Sequence, residues 1–199
     1  NLSNKDLLIK SKPKKRDYKK IRKVSLNNKK GKSISERPNE INNRSEKGHW
    51  EIDLVLGKKG TKPAILTLVE RKTRKSIYVL IKNKTQKEII NAVKKARKKL
   101  KGSFGNIFKT ITADNGSEFL DSVGIKKAGK CEEVYYAHPY SSWERGSNEN
   151  GNKMLRRFIP KGSNIGEVTE EYLQRIENWV NNYPRKILGY RSANEMVDC

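Results

Sequence analysis

Three apolar runs joined by segments too short for a crossover set the first constraint on how this chain can fold. Residues 49–57 alternate apolar and polar side chains, Ala64–Glu70 is almost continuously apolar, and Ser76–Ile81 is rich in β-branched residues. The connections, residues 57–62 and 71–75, are short turn segments. A parallel pairing needs a dozen or more residues to cross back, so three such neighbours predict an antiparallel meander. Asp53 falls inside its first strand.

Beyond the meander the period changes. Thr85 is a good N-cap with Glu88 three residues on, and Ile89, Ile90, Val93, Ala96 and Leu100 trace an amphipathic helix that Gly102 ends. Its outer Lys/Arg face reads as a solvated surface. Residues 107–113 form a buried strand running straight into Asp114-Asn115-Gly116, after which Ser117 caps a short helix through Phe119, Leu120 and Val123. A short strand at 134–137 meets Pro139. Ser141 or Ser142 then caps a helix that carries Glu149, with Arg145, Asn152, Lys153 and Arg156 on nearby faces. A last helix runs from its N-cap Thr169 through Leu173, Ile176 and Val180 to Pro184. The order βββαβαβαα predicts an α/β fold with a five-stranded sheet flanked by helices.

Upstream of the strands the chain is different in kind. Residues 1–47 hold 16 Lys/Arg and 5 Asp/Glu, a net charge of +11, with few apolar positions. That composition predicts a basic arm or linker beside one globular domain over residues 48–199. Over the whole 199 residues, 45 Lys/Arg against 22 Asp/Glu give +23, an excess that self-repels unless a polyanion is the usual counterion. Nucleic acid is the first candidate. A membrane is disfavoured, since no apolar run approaches a bilayer span and the basic arm carries no apolar stripe. Cys131 and Cys199 are too few and too far apart for a disulfide framework or a zinc site with His49 and His138, which predicts a reducing, cytoplasmic setting. The chain begins at Asn1 without a signal-peptide pattern, as a fragment lacking upstream sequence would.

Most of the 22 acids read as surface or ion-pair residues, but three occupy odd places: Asp53 mid-strand, Asp114 at a strand end before a tight turn, and Glu149 on a helix. Taken alone, Glu149 is more simply the i,i+4 partner of Lys153. If the first and fourth strands lie side by side, however, Asp53 and Asp114 face one another, and the later helix can bring Glu149 to them. Three close carboxylates repel, have raised and coupled pKa values, and call for a divalent cation; all-oxygen ligands suit Mg²⁺ or Mn²⁺. A pair of such ions serves in-line attack on a phosphodiester without a nucleophilic side chain. That agrees with the absence of a GxSxG elbow, a Walker-type glycine loop or a histidine near a plausible Ser or Cys partner in the sequence.

The segments GHWEIDLV, TLVERKTR, TADNGSEF, AHPYSSWERGSNENGNKMLRRF and NNYPRKILGYRSANE resemble the catalytic core of the insertion sequence thirty family of bacterial transposases, within the DDE transposase and retroviral integrase superfamily. The resemblance spans roughly residues 36–198. It implies a ribonuclease-H-like fold with a mixed sheet, and it places the family's catalytic, metal-holding acids on Asp53, Asp114 and Glu149. It further implies DNA as partner, both element ends and target, a homodimer or larger synaptic complex, and action at the bacterial nucleoid. His138 and Tyr140 match a segment beside the active site, where they would hold a flanking nucleotide. Arg145, Lys153 and Arg156 would reach phosphates in a positioning role. Ile52, Gly151 and Lys153 depart from the family pattern without removing an acid. Glu118 reads as a helix-dipole partner, Trp50 as core, and residues 183–190 as fold closure with DNA contact. Two alternatives remain on the sequence: a nuclease of the same fold, and a non-catalytic DNA-binding descendant of a transposase.

Overall fold

The computed structural model describes residues 31–100, 108–139 and 141–198. The elements run β1 (Lys32–Ser33), α1 (Asn39–Asn43), β2 (His49–Leu56), β3 (Ala64–Glu70), β4 (Ser76–Ile81), α2 (Gln86–Lys99), β5 (Thr110–Ala113), α3 (Ser122–Gly129), β6 (Glu133–Tyr136), α4 (Gly146–Leu155), α5 (Glu170–Asn182) and α6 (Ala193–Asp198). The sheet order is β1-β6-β5-β2-β3-β4. β2, β3 and β4 form the predicted antiparallel meander. β5 lies parallel to β2, and β6 parallel to β5, because each returns through a helix. This mixed sheet with helices on both faces is the ribonuclease-H-like α/β architecture read from the sequence.

The sheet has a sixth strand beyond the five predicted. β1, from the segment read as a basic arm, pairs parallel to β6 and covers what would otherwise be an open edge. Ser33 then caps a 3₁₀ turn reciprocally with Glu36, and Ile34 and Ile41 bury their side chains. Composition could not reveal this, because two apolar anchors suffice when the sheet supplies the other half of each contact. Residues 1–30, Gly102, Ile107 and Tyr140 lie outside the described residues.

Alternation along the strands sorts the core into two layers. Trp50, Ile52, Leu66 and Leu68 pack on one face beneath Ile89 and Val93 of α2 and Ile125 of α3. Val55, Ile65 and Tyr78 pack on the other beneath Leu155 of α4 and Leu173, Ile176 and Val180 of α5. Each such side chain, fully withdrawn from water, contributes about 1.5–3 kcal/mol of transfer free energy. Glu51 and Asp53, two and four residues from His49, share the α4 face by the same period of two.

The outer edge, β4, is covered rather than left to pair with another chain. From α5, the Asn181 side chain donates to the Ser76 carbonyl and accepts from its N–H, both at 2.8 Å. Glu177 accepts from Tyr78 N–H at 2.7 Å, and Lys99 of α2 donates to the Tyr78 carbonyl at 2.9 Å. Side chains thus complete the hydrogen bonding that a further strand would supply. Thr169 caps α5 as the sequence predicts, accepting from Tyr172 N–H, and Thr85 caps α2 by accepting from Glu88 N–H. Among the described residues, no helix is long and apolar enough to cross a membrane.

Trp50 is fully buried and meets Phe108 edge-on at 5.1 Å between ring centroids. Trp50→Ala should cost about 3–5 kcal/mol of stability, measured by urea unfolding. A loss below about 1 kcal/mol would mean the sheet does not rest on this residue.

Candidate active site

Parallel pairing sets Glu51 of β2 opposite Thr112 of β5. Two residues on, Asp53 lies alongside Asp114, the first residue past β5, so strand register alone brings the two carboxylates together. Asp114 is fixed by its own turn: Oδ1 accepts from Gly116 N–H at 3.0 Å, and Asn115 donates to the Ala137 carbonyl. A Cβ at Gly116 would lie 2.9 Å from that same Oδ1 and from the Glu118 carboxylate, so a larger residue there would displace the acid.

One guanidinium lies between the two acids. Arg145, in a 3₁₀ turn leading into α4, places Nη1 at 3.3 Å from Asp53 Oδ1 and Nη2 at 3.3 Å from Asp114 Oδ2. Its side chain is only 12 % exposed, and Nε has no hydrogen-bond partner. Asp53 Oδ2 accepts from Asn152 of α4 at 2.9 Å. Burial is the main force on Asp53 and raises its pKa; Arg145 opposes this and the Asp114 charge reinforces it.

Glu149 is not part of this cluster. Its carboxylate, half exposed, pairs with Lys153 at 2.9 Å, the i,i+4 contact that the sequence offers as the simpler reading. Among the described residues no three carboxylate, imidazole or thiolate groups converge as a metal site would require. Asn152, three positions along, touches Asp53, so Glu149 lies one turn back on the same side of α4, its carboxylate turned to Lys153.

The other predicted contact residues divide. His138 is clamped: its backbone N–H and Nδ1 each lie 2.7 Å from a Glu144 carboxylate oxygen, and Nε2 lies 3.0 Å from Ser35 Oγ. Lys153 is exposed apart from its pairing with Glu149. Arg156 spends its donors on backbone, reaching the Leu56 carbonyl at 2.7 Å and the Pro160 carbonyl at 3.2 Å, so it ties α4 to the end of β2. Trp143 stands 73 % exposed, two residues from Arg145, whereas Trp50 is core.

The sequence reading missed a buried polar layer that seats α4. Glu51, fully buried, accepts from Arg71 Nη1 at 2.6 Å and from Asn148 N–H at 2.9 Å. Thr67 Oγ1 donates to Asn148 Oδ1 at 3.1 Å, and Arg74 Nη1 donates to Ser147 Oγ at 2.5 Å. Glu70 shapes the β3–β4 turn that presents both arginines, accepting from Lys72 N–H, Thr73 N–H and the Thr73 hydroxyl. Gly151 permits the close approach, for a Cβ there would meet Val69 Cγ2 at 2.8 Å. A signal was available: in WEIDLV, Glu51 shares a strand face with Asp53.

Comparison with known proteins adds to this geometry. The integrase core domain family matches residues 43–143, a span that includes Asp53 and Asp114 and ends before Glu149. The chain is 44 % identical over 169 residues to a probable transposase for insertion-like sequence element IS1161 of Streptococcus salivarius, covering 84 % of this chain and 46 % of that protein. It is 33 % identical over 174 residues to the transposase InsI for insertion sequence element IS30A of Escherichia coli strain K12, covering 84 % and 42 %. The chain thus spans about half the length of the curated relatives it matches. A chain in the cryoEM structure of a simian T-cell lymphotropic virus intasome in complex with PP2A regulatory subunit B56 gamma shares the fold, with TM-score 0.59 and 17 % identity over 76 % of this chain and 54 % of that one.

Two measurements test the site as built. Glu51→Ala strands the Arg71 charge in the interior and should cost about 3–5 kcal/mol in chemical denaturation; a loss near zero would mean the buried layer does not hold α4. Asp53 binds its proton more tightly folded than unfolded. Its charge therefore erodes stability as pH rises from the ordinary carboxylate value of 3.8 through the raised folded value. Asp53→Asn should abolish that decline, so its stability gain over the parent grows with pH across the window; parallel pH profiles would refute the shift.

Proposed function

The chain belongs to the integrase core domain family, and from that premise we propose that it is the catalytic core of a DNA transposase, cutting at the ends of a mobile element and joining the freed 3′-hydroxyl to target DNA. The observation that carries this reading is the pair Asp53 and Asp114, held on neighbouring parallel strands around a single cation. Two carboxylates converging on one positive group form a donor pair that fits Mg²⁺ or Mn²⁺, and Glu149, paired here with Lys153 on the same helix as Asn152, would be the third acid once released from that pair. When bound, a pair of such ions lowers the pKa of the attacking hydroxyl and offsets charge on the leaving oxygen.

The protein's own groups do the rest. In joining, the 3′-oxygen forms a bond to phosphorus as the bond from phosphorus to the target 3′-oxygen breaks, and the departing oxygen takes a proton. Asp53 and Asp114 fix where the reacting phosphate sits. Arg145 neutralises the two acids at rest and, once they are otherwise engaged, can turn its guanidinium to a phosphate oxygen. Lys153 and Arg156 add positive charge along α4, and His138 and Trp143 border the site where a flanking base would rest, a role that the sequence also offers to Tyr140. Glu51 and Asn148 hold the helix in register, a positioning role. The net charge of +23 supplies long-range attraction to DNA. Pairing two ends requires a dimer or larger assembly.

In Mg²⁺ or Mn²⁺, Asp114→Asn should reduce cleavage of end-bearing duplexes and joining of a pre-cut 3′ end to a plasmid to background, while DNA binding is retained. Joining that survives in Asp114→Asn would sink the assignment. Hydrolysis without joining in the parent chain would indicate a nuclease of this fold. Binding with neither reaction would indicate a DNA-binding descendant.

A further inference from the structure

On the other flank of α4 from Asp53 is a cavity of about 310 Å³ lined by Arg44, Arg74 and Arg185, with Ser147 and Asn150 of α4 on one wall and Ile187 on another. Asn152, which contacts Asp53, and Asn150, which faces the cavity, are two positions apart and therefore point to opposite sides of the helix. The acid pair and the cavity are thus separated by about one helix diameter, ~10 Å.

The cavity carries positive charge that the fold does not balance. None of the three arginines has a carboxylate at ion-pair distance among the described residues. Glu51, the acid that acts on Arg74, is already bound to Arg71 at 2.6 Å. Arg74 is 8 % exposed, and Nε of Arg44, Arg74 and Arg185 are all buried without a partner. Burial, with Arg44, Arg71 and Arg185 around it, lowers Arg74 to about 10. Crowded guanidinium groups with unused donors cost stability when empty, and the cost is offset when an anion brings acceptor oxygens. Arg185 anchors the wall through the Arg74 and Val180 carbonyls, and Arg74 is held by Ser147, whereas the Arg44 side chain has no hydrogen bond among the described residues.

We propose that this arginine cavity is a phosphate-binding subsite, taking a backbone phosphate of the DNA strand that crosses α4 to reach Asp53 and Asp114. At about 3.4 Å of axial rise per phosphate, ~10 Å corresponds to roughly three nucleotides from the reacting bond. The identity of the strand rests on the transposase reading; the phosphate chemistry of the cavity does not. The subsite explains why TLVERKTR ends in a second arginine: Arg71 neutralises Glu51, and Arg74 faces the cavity.

The test uses the full chain carrying Asp114→Asn, in EDTA, so that binding is read without chemistry. Anisotropy of a labelled duplex of fixed length across a salt series gives affinity and salt slope. Arg44→Gln should weaken binding several-fold and reduce the slope by about 0.9, the loss of one phosphate contact, while Arg44→Lys keeps the slope. Lys94→Ala, removing one exposed charge on α2, is the control for bulk charge. An unchanged slope in Arg44→Gln, or an equal change in Lys94→Ala, overturns the proposal. Thermal unfolding in inorganic phosphate against chloride at matched ionic strength separates the sources. Arg44-dependent stabilisation by phosphate with no effect on DNA binding assigns the cavity to a free anion and overturns the DNA subsite. Because no reaction is measured, a chain that fails to join DNA leaves this result standing.

Discussion

The parallel register of β2 against β5 is the constraint from which the site follows. It aligns Glu51 with Thr112 and thereby Asp53 with Asp114, so two carboxylates that the chain separates by 61 residues are set side by side by backbone hydrogen bonds. A slip of one residue would turn Asp53 into the opposite layer, against Leu66 and Leu68, where no charge could be sustained. The apolar partners on that opposite face therefore secure the chemistry as much as the core.

Holding like charges together requires compensation, and this fold applies it at two depths. At the surface of the site, Arg145 bridges the two acids. Beneath it, Glu51 is fully buried and tied to Arg71 and to the backbone of Asn148, so a charge lost from water becomes the seat of α4. Buried pairs of this kind are weak sources of net stability but severe when broken, which suits a role in orientation. The helix that bears Glu149 is thus placed by an acid that does no chemistry.

The same helix separates two environments. Toward β2 it meets carboxylates through Asn152; toward Arg185 and Ile187 it meets arginines around a cavity. Carboxylates on one flank and an arginine-lined cavity on the other, one helix apart, thus set charge of opposite sign on the two sides of α4. Three of the 45 basic residues, Arg44, Arg74 and Arg185, line one cavity, each with a buried Nε that has no hydrogen-bond partner.

Much of this was legible in the residues. Alternation and short connections gave the meander of β2, β3 and β4 with its antiparallel pairing; Thr85 and Thr169 marked helix starts; Asp53 and Asp114 stood out by position on strands. These are properties of near neighbours, set by side-chain period and capping. What the residues could not show lies in long-range contacts: β1 taken from a basic segment, Arg145 between two acids, Glu51 as the seat of α4, and Arg156 spent on carbonyls. Sequence determined which groups exist and which face of each element carries them, because period and propensity are local. Only the tertiary structure decided which charges meet, because a charge buried by packing takes whatever partner the fold brings within hydrogen-bond reach.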